Sequence, residues 1–273
     1  MVQIGGIKYA PGMYTHKRPT GTQLADKYFQ DLEKNFIEKK RKEKRPEIFP
    51  TICCSRKIGV GALEIADIVA KNIGYKVVDR EILMHIAQEA KLSEKTVAYF
   101  DESYPGYLKE FVAFLVGEKS FIKSDYNRHL INTVISLAGL EPTIFVGRGT
   151  HLIIPRDRVL AVRFICSDDH RIKRLSKILK VNEKEAADKL PQLDKEQRSF
   201  FKKVFGKKDA VPYEFDMVIN CDYIKDTQVA AKIVEEAFKH VKIRVRWTRI
   251  FAILNSLWFF KKITTDDTQG KRN

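Results

Sequence analysis

Residues that could bind phosphate follow a short apolar run near residue 50. The run Thr51–Cys54 leads into a polar turn with two glycines, Gly59 and Gly61, and then into an amphipathic helical pattern. Glycines let the backbone curl so that successive N–H groups converge on one anion, and a following helix adds the positive end of its dipole. This order is the form of a phosphate-binding loop, although a tight strand-to-helix turn in any α/β protein also fits the two glycines.

The turn lacks the lysine and the hydroxyl of the Walker pattern. When Gly61 is aligned with the last glycine of G-x-x-x-x-G-K-[ST], Ala62 takes the place of the lysine. Leu63 then takes the place of the residue that holds Mg²⁺. The Walker lysine compensates charge on the transferring phosphoryl group, so the loop residues Arg56 and Lys57 are the candidates for that task.

Strand-like and helical patterns alternate along the centre of the chain. The strand-like runs are Pro50 to Cys54, Tyr75 to Val78, Thr143 to Val146, Val159 to Cys166 and Met217 to Cys221. A helical pattern follows each run, which predicts βαβ units and a parallel five-stranded sheet in an α/β fold. Because the carboxyl ends of parallel strands meet in one crevice, Asp79 and Arg148 should face the same ligand as the glycine turn.

Five short motifs follow one another in the order that one enzyme family shows. They are Ser55-Arg56-Lys57-Ile58-Gly59-Val60-Gly61-Ala62, Asp79-Arg80-Glu81-Ile82, Gly147-Arg148-Gly149, Arg171-Ile172-Lys173-Arg174 and the stretch Asp194 to Arg198. The chain from about residue 51 to residue 238 thereby resembles the cytidylate kinase-like family, relatives of the nucleoside monophosphate kinases. Five ordered matches are far more specific than any one of them.

The resemblance implies a P-loop NTPase-like three-layer fold that transfers the γ-phosphate of ATP, or of another nucleoside triphosphate, to a nucleoside monophosphate or other small acceptor with Mg²⁺. It divides the chain into an N-terminal basic helical extension (1–46), a kinase-like domain (47–241) and a basic aromatic C-terminal extension (242–273). Within the domain, residues 80–141 are expected to form a helical acceptor-binding insertion, and residues 168–210 a lid.

The resemblance also assigns roles to single residues. The triphosphate is expected on Ser55, Lys57, Gly59, Val60, Gly61 and Ala62, and the acceptor on Asp79, Arg80 and Arg148. The candidate catalytic residues are Arg56, Arg148, Arg171, Arg174 and Arg198, with the last three as lid arginines that neutralise developing charge. No protein residue is singled out as a metal ligand. Plainer interpretations are a helix N-cap for Asp79 and a solvated basic face for the lid arginines.

Two departures from the family pattern keep a second function open. Cytidylate kinases have an aspartate after the G-R pair, where this chain has Gly149, so cytosine specificity cannot be transferred. Ala62 replaces even the family's glycine. A catalytically silent nucleotide-binding sensor or scaffold, with basic tails for a partner or a membrane surface, is therefore the alternative to the phosphotransferase.

The net charge of +15 lies mainly at the ends of the chain. Residues 1–49 carry +5, residues 50–238 carry +3 and residues 239–273 carry +7. A near-neutral centre argues against a nucleic-acid-binding core. The pattern of residues 242–263 alternates arginines with aromatic side chains, which favours a helix docked on the enzyme or on a second subunit over one that lies on an anionic membrane. A homodimer is thus an open expectation.

Cysteine spacing and hydropathy indicate a reducing environment. The four cysteines show no C-x-x-C spacing, so neither a zinc site nor a disulfide framework is expected. The longest apolar stretch, residues 250–260, is well short of the ~20 residues that cross a bilayer. We expect a cytoplasmic location.

Overall fold

A five-stranded parallel sheet forms the centre of the computed structural model, which describes residues 3–4, 7–9, 13–14, 19–39, 48–89, 94–98 and 125–240. Its strands are β3 (Thr51–Arg56), β4 (Lys76–Asp79), β5 (Thr143–Val146), β6 (Val159–Ile165) and β7 (Met217–Asn220), in the order β4-β5-β3-β6-β7. A separate antiparallel pair joins β1 (Gln3–Ile4) to β2 (Ile7–Lys8). The predicted α/β class with a parallel sheet is confirmed, and the predicted strands differ from the observed ones by at most two residues at an end.

Helices cover both faces of the parallel sheet. They are α1 (Gly21–Lys39), α2 (Ala62–Ile73), α3 (Arg80–Gln88), α4 (Asp125–Leu140), α5 (Asp168–Leu179), α6 (Glu183–Phe205) and α7 (Thr227–His240), with a short helical segment at 94–98. Apolar side chains of α2 and α7 pack on one face. Those of α1, α3 and α4 and the end of α6 pack on the other. The chain thus has three layers, as expected for strands that are buried on both faces.

Helix α1 is part of the core of the domain. The sequence has apolar residues every four positions here, and two of them, Tyr28 and Leu32, are buried against the α3 and α4 face of the sheet. Asp31 on the same helix accepts a hydrogen bond from Nζ of Lys76 at 3.1 Å. The apolar stripe has therefore found its partner surface within the same chain.

A side chain caps the start of each of the two helices predicted to form a lid. Ser167 caps α5 by accepting a hydrogen bond from the backbone N–H of His170, and Asn182 caps α6 by accepting one from Glu185. The two helices pack on one another around Leu175 and Leu190. Ile4, Tyr9 and Met13 from the N-terminal segment complete that cluster. Contacts from outside residues 168–210 thus stabilise the pair of helices α5 and α6.

Several predictions concern residues outside the described ranges. The C-terminal extension 242–273 is one of them, and with it the expectations of a docked helix, a membrane surface or a homodimer. Residues 90–93 and 99–124 of the proposed insertion and residues 40–46 of the N-terminal extension are others. None of the described helices combines the length and the apolar character needed to cross a membrane.

Candidate phosphate-binding site

A cavity of about 210 Å³ opens where the carboxyl ends of β3 and β5 meet helix α6. Its lining residues are Ser55, Arg56, Lys57, Arg80, Gly147, Arg148, Gly149, Arg163, Asp194, Glu196, Gln197, Arg198, Phe200, Phe201, Asp209 and Ala210. Six of these side chains are cationic and three are carboxylates, so the described part of the lining has an excess of positive charge. Such a concentration of guanidinium groups fits a phosphate or another oxyanion.

The turn after β5 holds an unusual backbone conformation at the cavity. Gly147, Arg148 and Gly149 have φ angles of 89°, 55° and 67°, all in the left-handed region. The N–H of Gly147 donates to the carbonyl of Cys54 at 2.8 Å, which ties this turn to β3. A left-handed conformation costs roughly 1–2 kcal/mol for a residue with a side chain. The backbone conformation that positions Arg148 therefore costs free energy of folding.

Helix α6 fills the space beside Gly149. A Cβ atom at this position would lie 2.4 Å from Cε2 of Phe205 and 3.2 Å from Cε2 of Phe201. Atoms that close would overlap, so a side chain at this position would require the ring of Phe205 to move. The family resemblance predicts an aspartate at this position. The space that its side chain would need is instead filled by the aromatic rings of Phe201 and Phe205, which come from a helix more than fifty residues further along the chain.

Arg148 is a partly buried cation that contacts an aromatic ring and a thioether. Its Cζ atom lies 3.9 Å from the ring centroid of Phe200, and Nη2 contacts Sδ of Met84. Burial, and then the nearby charge of Arg80, lower the pKa of Arg148 to about 9, which still leaves it charged at neutral pH. Among the described carboxylates, none forms an ion pair with Arg148. Its charge is therefore available to a bound anion.

Arg56 and Gln197 join the end of β3 to helix α6. The carbonyl of Arg56 accepts a hydrogen bond from Nε2 of Gln197 at 2.9 Å, and the Arg56 side chain is buried. This bond holds α6 across the strand end and so forms the roof of the cavity. Ser55, the preceding residue, accepts a hydrogen bond from Nη1 of Arg163 on β6 at 3.3 Å.

The glycine turn has the backbone conformation that phosphate loops need, but α5 lies against it. Gly59 and Gly61 have φ angles of 85° and 92°, and Gly61 precedes α2 with no side-chain cap. Arg171 donates from Nε to the carbonyl of Ile58 at 2.6 Å and pairs with Asp168 and Asp194. Arg171 is 1% exposed. The hydrogen bond to Ile58 connects α5 to the glycine turn, and the two carboxylates neutralise the guanidinium inside the protein.

Arg174 lies directly over the second glycine. A Cβ atom on Gly61 would be 2.9 Å from Cζ of Arg174. The same guanidinium pairs with the carboxylate of Glu64 in the first turn of α2. A side chain therefore covers the bend at which a bound phosphate was expected, and an anion that reaches Gly61 must first displace Arg174.

The structure brings some of the sequence-predicted residues together and leaves others apart. Ser55, Arg56, Lys57, Arg80, Arg148 and Arg198 line the cavity. Gly59, Val60, Gly61, Ala62, Asp79, Arg171 and Arg174 are not part of the described lining. Asp79 is buried and caps α3, because Oδ1 accepts from the N–H groups of Glu81 and Ile82 at 3.0 Å each. The roles of all these residues stay predictions.

Sequence reasoning missed the cavity residues Arg163, Gln197, Phe200 and Phe201. For Arg163 a signal was present, since it is the one charged residue in the apolar run Val159–Cys166. Helix α6 gave no such signal, because its aromatic and amide side chains also suit an ordinary amphipathic helix. Among the described residues, no group of three or more His, Cys, Asp and Glu side chains is placed to hold a metal ion.

The five-stranded parallel sheet with helices on both faces defines a three-layer α/β fold, with the glycine turn and a cationic cavity at the strand ends. The chain belongs to the cytidylate kinase-like family, which matches residues 51–223. No curated protein matches the chain.

Solved structures with a similar fold include an uncharacterized protein from Eubacterium ventriosum. It is 19% identical with a TM-score of 0.52, and the match covers 71% of this chain and 99% of that chain. Shikimate kinase from Bacteroides thetaiotaomicron is 12% identical over 69% of this chain and 98% of its own, with a TM-score of 0.37. Dephospho-CoA kinase from Campylobacter jejuni is 13% identical over 70% and 98%, with a TM-score of 0.31. At 19% identity, the likeness to the Eubacterium ventriosum protein concerns the fold alone.

Proposed function

We propose that this protein is a phosphotransferase that moves the γ-phosphate of a nucleoside triphosphate onto a nucleoside monophosphate or another small anionic acceptor. The observation that carries the proposal concerns Arg148, a partly buried cation that lines a cavity at the strand ends, next to the glycine turn, and forms no ion pair with the described carboxylates. Membership of the cytidylate kinase-like family supports the reaction class.

The cavity suits phosphoryl transfer because that reaction needs positioning and charge neutralisation more than covalent help. Arg148 and Arg80 would hold the phosphate of the acceptor. Arg56 and Lys57, at the end of β3, would take over the charge compensation that a Walker lysine supplies elsewhere. Arg198 on α6 would approach from the lid side.

ATP with Mg²⁺ would supply the activated phosphoryl group. The cationic lining fits the phosphates of such a ligand, and Mg²⁺ in nucleotide sites is held largely by those phosphates, with one or two carboxylates. Glu196 and Asp209 are exposed carboxylates of the lining and would be the residues nearest to such an ion.

The test is a product search with a matched pair of variants. The protein is incubated with Mg²⁺, ATP or GTP and a mixture of nucleoside monophosphates and small alcohols, and new phosphorylated products are sought by mass spectrometry. Arg148→Ala should lower the rate by about 100-fold or more, a loss typical of removing a group that stabilises transition-state charge. Lys173→Ala, an exposed cation on α5, is the control and should leave the rate unchanged. Unchanged turnover in Arg148→Ala would refute the role of this residue.

One observation favours the silent nucleotide-binding sensor as a second candidate. Arg174 and Glu64 cover Gly61, and Ala62 stands where a Walker lysine would be. A sensor would bind triphosphate and yield no product with any acceptor. Since both candidates bind triphosphate, product formation across the acceptor panel separates them.

A further inference from the structure

Arg163 is a buried cation in the middle of the sheet. It lies on β6 in a run that is otherwise apolar, and its side chain is 9% exposed. In the strand register it stands opposite Ser55, just before the end of β3, and both residues line the cavity. The guanidinium is thus held beside the strand that leads into the glycine turn.

The partners of Arg163 compensate its burial poorly. Nη2 lies 3.3 Å from Oδ1 of Asp209, whose side chain is 61% exposed, and Nη1 lies 3.3 Å from Oγ of Ser55. Charge-assisted hydrogen bonds normally measure about 2.7–2.9 Å. Among the described side chains, Arg163 also lies near the ring of Phe215, 5.6 Å from Cζ.

Arg171 gives an internal standard for a well-compensated arginine. It too is buried, but it donates to Ile58 at 2.6 Å and to Asp168 at 2.8 Å and also pairs with Asp194. Removing a guanidinium from water costs several kcal/mol unless short, well-aligned partners replace the water. Arg163 lacks such partners among the described residues and lines a cationic cavity, so a bound anion would compensate its charge.

We propose that Arg163 binds a phosphoryl group in the cavity and that the incoming anion takes the place of Asp209. Asp209 is suited to leave because its carboxylate is mostly exposed and keeps its solvation when the ion pair breaks. The inference rests on the proposed function for the identity of the anion, but its test needs no turnover. Inorganic phosphate serves as the probe, with nucleoside monophosphate and metal-free ATP as arms that distinguish acceptor from donor.

The experiment compares Arg163→Met and Asp209→Asn with the unaltered full chain by calorimetric titration and thermal unfolding. Arg163→Met should weaken phosphate binding at least tenfold, because the variant loses the hydrogen bond from a charged donor to the anion. Without phosphate its melting temperature should stay the same or rise, since the methionine relieves a poorly compensated burial. Asp209→Asn should bind phosphate more tightly. Arg156→Met, which breaks an exposed pair with Asp216, is the control and should bind phosphate normally.

Each outcome decides the matter. Phosphate affinity that is unchanged in Arg163→Met overturns the proposal. So does a melting temperature that falls without ligand as far as it falls in Arg171→Met, because Arg163 would then be structural. Loss of monophosphate binding assigns Arg163 to the acceptor, and loss of ATP binding alone assigns it to the donor. If phosphate binding depends on Arg163 while no product forms, the phosphotransferase proposal fails and the site stands.

Discussion

Two pairs of arginines in this protein, each with one buried and one partly buried member, lie in contrasting surroundings. Arg171 and Arg174, on helix α5, are paired with carboxylates and lie against the glycine turn. Arg148 and Arg163, on the strands and their ends, line the cavity. Arg148 has an aromatic ring and a thioether as neighbours, and Arg163 has one long ion pair.

The contrast separates arginines that hold the fold together from arginines that are available to a ligand. A buried ion pair with short partners is disrupted at a high cost when one member is removed, since the other is left uncompensated. Burying a cation without such a partner costs free energy in the unliganded protein. Its retention is a reason to look for the anion that compensates it.

The largest expected effect is a difference in the free energy of unfolding between a variant of each pair. Arg171→Met should lower the free energy of unfolding by about 3–5 kcal/mol, because Asp194 and Asp168 lose their partner and the turn loses its tie at Ile58. Arg148→Met should change it by less than about 1 kcal/mol, because no carboxylate is left unpaired. Urea unfolding followed by circular dichroism measures both. Equal losses in the two variants would abolish the distinction.

A somewhat smaller effect is expected at the turn that aims Arg148. Gly149→Asp, which restores the residue found in cytidylate kinases, should cost about 3 kcal/mol through overlap with Phe205 and through a strained φ. Gly206→Asp is the matched control, with a similar φ of 70° and no atom within 4 Å of the new Cβ. A loss in Gly149→Asp no greater than in the control would show that Phe205 yields readily.

The smallest expected effect concerns a buried histidine beside the cavity. His151 contacts Glu214 at 3.3 Å and the ring of Phe215, and burial lowers its pKa to about 4. Between pH 6.5 and 4, His151 is therefore protonated in the unfolded chain but not in the folded chain. The free energy of unfolding consequently falls as the pH drops through this window. The loss should reach roughly 2–3 kcal/mol by pH 4.

His151→Asn should remove that part of the pH dependence, whereas His240→Asn, an exposed change on α7, should not. Thermal melts at pH 7 and pH 4.5 measure the difference. An identical slope in His151→Asn and the unaltered protein would mean that His151 becomes protonated in the folded state.

The sequence indicates where the strands lie and which residues cap α5 and α6, because both depend on local patterns. Apolar runs of four to seven residues between turns specify strands whatever surrounds them. Ser167 and Asn182 bind N–H groups three residues ahead, so their role needs no distant partner. The glycine turn was also visible, since its φ angles are those that only glycine adopts without strain.

Which arginines form ion pairs within the protein could not be predicted from the sequence. Arg174 pairs with Glu64, which lies 110 residues away in the chain, and the cavity roof depends on Gln197 reaching Arg56 across 141 residues. Periodicity places Arg171 and Arg174 on one helix face but does not say what that face meets.

The sequence by itself thus determined the order of strands and helices and the motifs at the strand ends, because backbone propensity and amphipathic period act over a few residues. Only the tertiary structure decided which cations are already neutralised within the protein and which line the cavity. Electrostatic pairing depends on separation in space and on exclusion of water, and both arise only when distant segments pack together.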